Sequence, residues 1–209
     1  MHGDPGILCF QHCKREAKIF CFKLPKTCRL CGGDLETSEL RIPPFRVPYP
    51  FISAKNVPCC VVIKPTTGNF LCNYRNSSDL HIGVTSSEGD VYEFDKEGLL
   101  TGKNEDWVEC LAVPVVAKYD NTWKEFWDYT LQVVSTQEKW DCSRYHEENH
   151  NCYTFVLTFL RTLQLKELKS SLQNKMRFCM DFIIPRTRGA AKYIALFRIL
   201  QKDGVCVQC

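Results

Sequence analysis

Fourteen of the 209 residues are cysteine, and what those thiols do decides which folds are open to the chain. In an exported protein they would form a disulfide framework. The first ten residues, however, carry no basic stretch leading into an apolar one, so no signal peptide is read there. The longest uncharged run, about Asn151–Leu160, is half of what a membrane span requires. The expected compartment is therefore the reducing cytoplasm or nucleus, where cysteines bind metal, act as nucleophiles or pack as small apolar side chains. A composition of 44% hydrophobic and 24% charged residues supports a packed core and excludes wholesale disorder. The net charge of +3 is too mild to argue for a nucleic-acid face.

Five cysteines fall in the first 31 residues, and Cys28-Arg-Leu-Cys31-Gly-Gly has the form of a metal knuckle. Two thiolates three residues apart grip one Zn²⁺ when the chain turns tightly, and glycine after the second allows that turn. Upstream lie Cys9, His12 and Cys13, separated from the knuckle by Lys18–Leu24, which alternates like a strand. This is the layout of a zinc ribbon. The expected ligands are His12, Cys13, Cys28 and Cys31, with Cys9 or Cys21 as alternatives for the fourth, and the expected cofactor is a structural zinc ion. A front segment of about 40 residues without such a staple would be marginal. The terminal Cys206-Val-Gln-Cys209 occupies the place of a prenylation box, but glutamine is not aliphatic and no polybasic stretch precedes it, so lipidation is disfavoured.

Residues 41–58 contain five of the ten prolines and read as an extended connector, because proline cannot donate to a central ladder. The pattern then turns β-like. Strands are expected at 59–64, 70–74, 80–85, 91–94 and 108–117, with Ser86–Asp90 as a hairpin link. Toward the C-terminus the period becomes helical. Helices are expected at 122–134 with Thr122 as cap, at 152–164 with Asn151 as cap, and at 188–202, stopped by Gly204. Strands followed by helices predict an α+β domain over 59–205, after a zinc-ribbon-like segment at 1–40.

Asn151-Cys152 stands where a helix begins. A thiol there meets free backbone N–H groups and the positive end of the macrodipole, which favour its anion and can hold an oxyanion. His81 opens a strand, and Glu93, twelve residues on, can reach it across the hairpin. Cysteine, histidine and carboxylate are the thiol version of the triad logic. Taken separately, they also read as a buried helix cysteine, a strand histidine and a solvated acid, and spacing does not choose.

The segment Tyr145, five residues, then Asn151-Cys152-Tyr-Thr-Phe155 resembles the Tyr…Asn-Cys-x-x-Phe signature of the circularly permuted papain-like superfamily. That superfamily includes the lecithin–retinol acyltransferase-like proteins and the PPPDE isopeptidases. Asp79-Leu-His81-Ile-Gly, followed by Gly89-Asp-Val-Tyr92, is similar to their histidine strand and hairpin. The resemblance covers about residues 59–165. It implies a papain-like domain with Cys152 as nucleophile, His81 as base and Glu93 near the place of the third polar residue. Tyr153 departs from the glutamate or asparagine common after the family's cysteine, and the hydrophobic anchor of many lipid-acting members is missing. Over its whole length the chain also resembles a vertebrate family whose membership implies no particular chemistry. The resulting expectation is a cysteine-dependent hydrolase acting on a peptide or isopeptide, with lipid disfavoured and no membrane span. The alternative is a catalytically silent papain-like fold that binds a protein partner through its ribbon.

Overall fold

A computed structural model describes residues 6–116 and 120–209. It divides into two compact units, Met1–Pro50 with Ala191–Cys209, and Phe51–Ala190. The architecture is α+β, with two antiparallel sheets.

The first unit is a four-stranded sheet in the order β3-β1-β2-β9, built from β1 (Leu8–Gln11), β2 (Lys18–Cys21), β3 (Ile42–Arg46) and β9 (Val205–Gln208). Phe10, Ile19, Cys21, Cys28 and Leu35 form its core, with Val205 and Val207 packed against them. Two features depart from the sequence reading. Part of the proline-rich connector is strand β3, and it lies at a sheet edge, where Pro43 and Pro44 cost no central ladder bond. The C-terminal cysteine segment is strand β9, paired with β2 as Phe20↔Cys206 and Ile19↔Val207. The chain's last 19 residues thus belong to the first unit, not to the domain at 59–205.

The second unit is a five-stranded sheet in the order β7-β6-β5-β4-β8. Its strands are β4 (Val61–Pro65), β5 (Leu80–Thr85), β6 (Val91–Asp95), β7 (Gly98–Thr101) and β8 (Leu111–Val113). Helices α1 (Asn121–Ser135) and α2 (Cys152–Thr162) pack on one another, and α2 packs on β5 and β6. Trp127 of α1 meets Phe159 of α2 edge to face at 4.7 Å, and Trp140 meets Phe155 at 5.1 Å. All four rings are essentially buried. Each aromatic pair adds about 1 kcal/mol to the area it buries.

Phe70–Tyr74 is not a strand. Phe70, Leu71 and Tyr74 are buried, but Asn69 accepts the Cys72 N–H on its side chain and the Asn73 and Tyr74 N–H groups on its carbonyl. That local bonding folds the segment into turns and competes successfully with a ladder. The cap of α1 is Asp120, whose carboxylate accepts from the Trp123 N–H at 2.8 Å, so Thr122 lies inside the helix. Ala117, the last residue of the strand expected at 108–117, lies outside the described residues. The C-terminal helix begins earlier than expected. A short α3 (Lys175–Phe178), a π turn (Cys179–Ile183) and α4 (Ile184–Asp203) run on directly, and Gly204, at φ +73°, closes α4.

Candidate active site and metal centre

Cys152 is the first residue of α2. Asn151 caps the helix, accepting the Tyr153 N–H at 3.0 Å, while its own N–H reaches Thr154 Oγ1 at 3.2 Å in a reciprocal capping box. The loop before it is pinned as well. His146 and His150 exchange two backbone bonds of 2.9 Å, and the His150 ring stacks on Trp140 at 5.1 Å with Nε2 on the Lys139 carbonyl. The nucleophile candidate therefore stands on a rigid corner, and its side chain is buried beside the helix N-terminus.

His81 and Glu93 come from adjacent strands. Gly83 pairs with Glu93 in the β5–β6 ladder, so His81, two residues earlier, shares that face and lies diagonal to Glu93. His81 Nε2 and Glu93 Oε2 are 2.7 Å apart. The Cys152 thiol lies near enough to the imidazole to act on its charge. With Nε2 taken by Glu93, Nδ1 is the nitrogen left for sulfur. Burial works against a charged imidazole here, but the Cys152 sulfur and the Glu93 carboxylate beside the ring outweigh it and raise His81 to about 9. Burial likewise disfavours the Glu93 anion, yet hydrogen bonds from His81 and Trp107 hold it below the ordinary carboxylate value. The structure brings all three expected residues, Cys152, His81 and Glu93, into one cluster.

His81 and Cys152 line a cleft of about 510 Å³ together with Thr66, Asp79, Tyr145, Glu147, Lys175 and Cys179. Tyr153 forms part of its wall. The Lys175 ammonium lies 4.4 Å from the centre of its ring, and the Cys179 thiol lines the same cleft. Sequence reasoning did not find Trp107, Lys175 or Cys179. The π turn at Cys179–Ile183 is the feature that aims the last of these inward, and nothing in the sequence pattern signals it.

The first unit holds a second cluster. The ligand atoms of His12, Cys13, Cys28 and Cys31 all lie within 4.8 Å of one another. Cys13 Sγ and Cys28 Sγ are 4.0 Å apart, and Cys31 Sγ is 3.3 Å from His12 Nδ1. Two thiolates bound 2.3 Å from a tetrahedral ion stand about 3.8 Å apart, so the spacing fits a metal ion. The knuckle closes through Gly32 N–H to the Cys28 carbonyl at 2.8 Å, with Gly32 at φ +73°. Burial opposes ionisation of Cys28, but N–H groups of Leu30 and Cys31, with His12, bring it down to about 7. Ser38 Oγ sits 2.9 Å from His12 Nε2, orienting the ring from behind. Cys9 and Cys21, the alternative ligands, are buried in the sheet and are not members of this cluster.

Comparison with known proteins adds the family. Residues 5–35 match the model of DUF4796 N-terminal, and residues 44–200 that of DUF4796 C-terminal. The chain belongs to the DUF4796 family. This DUF4796 chain is also 34% identical over 202 residues to the human MKRN2 opposite strand protein, an alignment covering 97% of this chain and 89% of that one. No solved structure matches. The N-terminal model spans His12, Cys13, Cys28 and Cys31, and the C-terminal model spans Cys152, His81 and Glu93. Among the described residues, no helix is long and apolar enough to cross a membrane.

Proposed function

We propose that the chain is a cysteine-dependent hydrolase of permuted papain-like type that cleaves a peptide or isopeptide bond, stapled at its front by a structural zinc ion. The observation that carries the reading is the His81–Glu93 pair beside Cys152 at a helix N-terminus, with His81 and Cys152 both lining one cleft. Cys152 gives its proton to His81 as its sulfur attacks the substrate carbonyl carbon. The developing oxyanion meets the Cys152 N–H, which the Asn151 cap leaves disengaged, and the positive end of α2. His81 Nδ1 then gives its proton to the leaving amine as the C–N bond breaks, leaving a thioester on Cys152. In the second half His81 takes a proton from water, whose oxygen attacks the thioester; the C–S bond breaks, the carboxylic acid departs, and His81 returns its proton to sulfur to re-form the thiol. Glu93 keeps the ring oriented and supports its charge throughout.

Zinc would be held by His12, Cys13, Cys28 and Cys31. It would supply folding free energy to a sheet whose own core is small, and no chemistry.

The test is site-resolved alkylation with iodoacetamide at pH 7, read by mass spectrometry. Cys152 should react at least about ten times faster than the buried Cys110 thiol, whose ionisation burial pushes up to about 12. His81→Ala should remove that advantage while the fold persists. Equal rates at the two cysteines would refute the hydrolase reading and leave a papain-like module that binds partners through its ribbon.

A further inference from the structure

A carboxylate that meets a histidine through one oxygen still swings about its last torsion, and so can lose the ring it is meant to hold. In this site the second oxygen is held as well. Trp107 Nε1 donates to Glu93 Oε1 at 3.0 Å, while Oε2 faces His81 Nε2 at 2.7 Å. The indole is fully buried and its centre lies 5.8 Å from that of the imidazole, so it also walls the histidine–carboxylate bond from water. Its approach depends on Gly83, the ladder partner of Glu93. A Cβ there would stand 3.4 Å from Trp107 Cζ2, 3.1 Å from the Tyr92 carbonyl oxygen and 3.0 Å from Val91 Cγ1. On its other side Lys64, the partner of His81 across the β4–β5 ladder, holds its ammonium 4.5 Å from the centre of the indole. The same ammonium reaches the Asp106 carbonyl at 3.3 Å, tying down the turn that carries Trp107. A cation on the ring draws electron density from the indole and strengthens its N–H as a donor.

We propose that Trp107 is the positioning residue of the thiol centre, fixing Glu93 and through it His81, with Lys64 as its support. The inference rests on the reading of Cys152, His81 and Glu93 as the reacting set. The charged and titratable groups that face Glu93 are His81 on β5, Lys64 on β4 and, through His81, Cys152 on α2; Tyr145 stands beyond the thiol.

The test is the pH dependence of Cys152 alkylation in Trp107→Phe. Removing one hydrogen bond to a charged acceptor should move the acid limb, where Glu93 takes up a proton, upward by about one pH unit. A merely structural tryptophan would lower stability and leave that limb in place. Added to Glu93→Gln, the same substitution should move nothing further, because the group it acts on has lost its charge. Should Trp107→Phe fail to fold, the unsubstituted protein still decides. The Trp107 indole ¹⁵N–¹H resonance should shift through the acid range with the same midpoint as the Glu93 carboxyl ¹³C resonance. An unmoved acid limb in folded Trp107→Phe, or an indole resonance that stays fixed while the Glu93 carboxyl titrates, overturns the proposal. Loss of His81-dependent reactivity in the unsubstituted protein would instead overturn the hydrolase reading, and the indole titration would still report on Trp107.

Discussion

The His81 pair makes stability depend on pH in a direction that can be worked out. Raising the imidazole from its ordinary 6.5 to about 9 corresponds to roughly 3 kcal/mol at 1.36 kcal/mol per pH unit. Because the folded value lies above the unfolded one, this contribution is fully present below pH 6.5 and is lost as the pH rises from 6.5 through 9. Glu93 has the opposite sign. Its folded value is depressed, so its contribution is present above about 4.5 and is lost as the pH falls through its folded value. Urea unfolding of the unsubstituted chain and of His81→Gln, with reductant present, measures the difference. His81→Gln should cost about 3 kcal/mol at pH 6 and progressively less toward pH 9.5. Taking the difference removes the other buried thiols, such as Cys60 and Cys110, whose ionisation burial also suppresses, since both chains carry them. A cost that stays flat from pH 6 to 9.5, or grows with pH, refutes the charged-pair account.

Cys28→Ser should abolish metal binding by elemental analysis, and a chelator should unfold the first unit while the signals of Cys152 and His81 persist; full metal content in Cys28→Ser would remove that cluster as the site. Gly83→Ala should cost about 1–3 kcal/mol, because its Cβ would press on Val91 and Tyr92, and it should slow Cys152 alkylation by displacing Trp107, read by urea midpoint and labelling rate. Phe159→Ala, which empties a fully buried site against Trp127, should cost about 3–5 kcal/mol in the same unfolding assay.

The parts of this chain that were legible in its sequence are those set by neighbours along it. The knuckle at Cys28 and Cys31 is a spacing and a glycine. The start of α2 is a cap followed by apolar residues at helical period, and the β5–β6 hairpin is two strands around a short polar link. His81 and Glu93 could be paired on paper because a hairpin register converts a separation of twelve residues into a diagonal contact. Turn chemistry already defeated the strand pattern at Phe70–Tyr74, where two asparagines offered the backbone nearer partners.

What only the tertiary structure decided are contacts between segments that share no local pattern. Strand β9 completes the first sheet by pairing with β2 from the far end of the chain, and no spacing announces that partner. The proline-rich segment became an edge strand because β1 had an edge to offer. Trp107 reaches Glu93 from a 3₁₀ turn fourteen residues away, since the gap over Gly83 is the space that admits an indole. Cys152 meets His81 only because α2 lies across β5 with its N-terminus at that strand's end. Periodicity and capping are set by the nearest few residues and can be read along the chain. Which faces then meet depends on how volumes pack, and that is settled by the whole core at once.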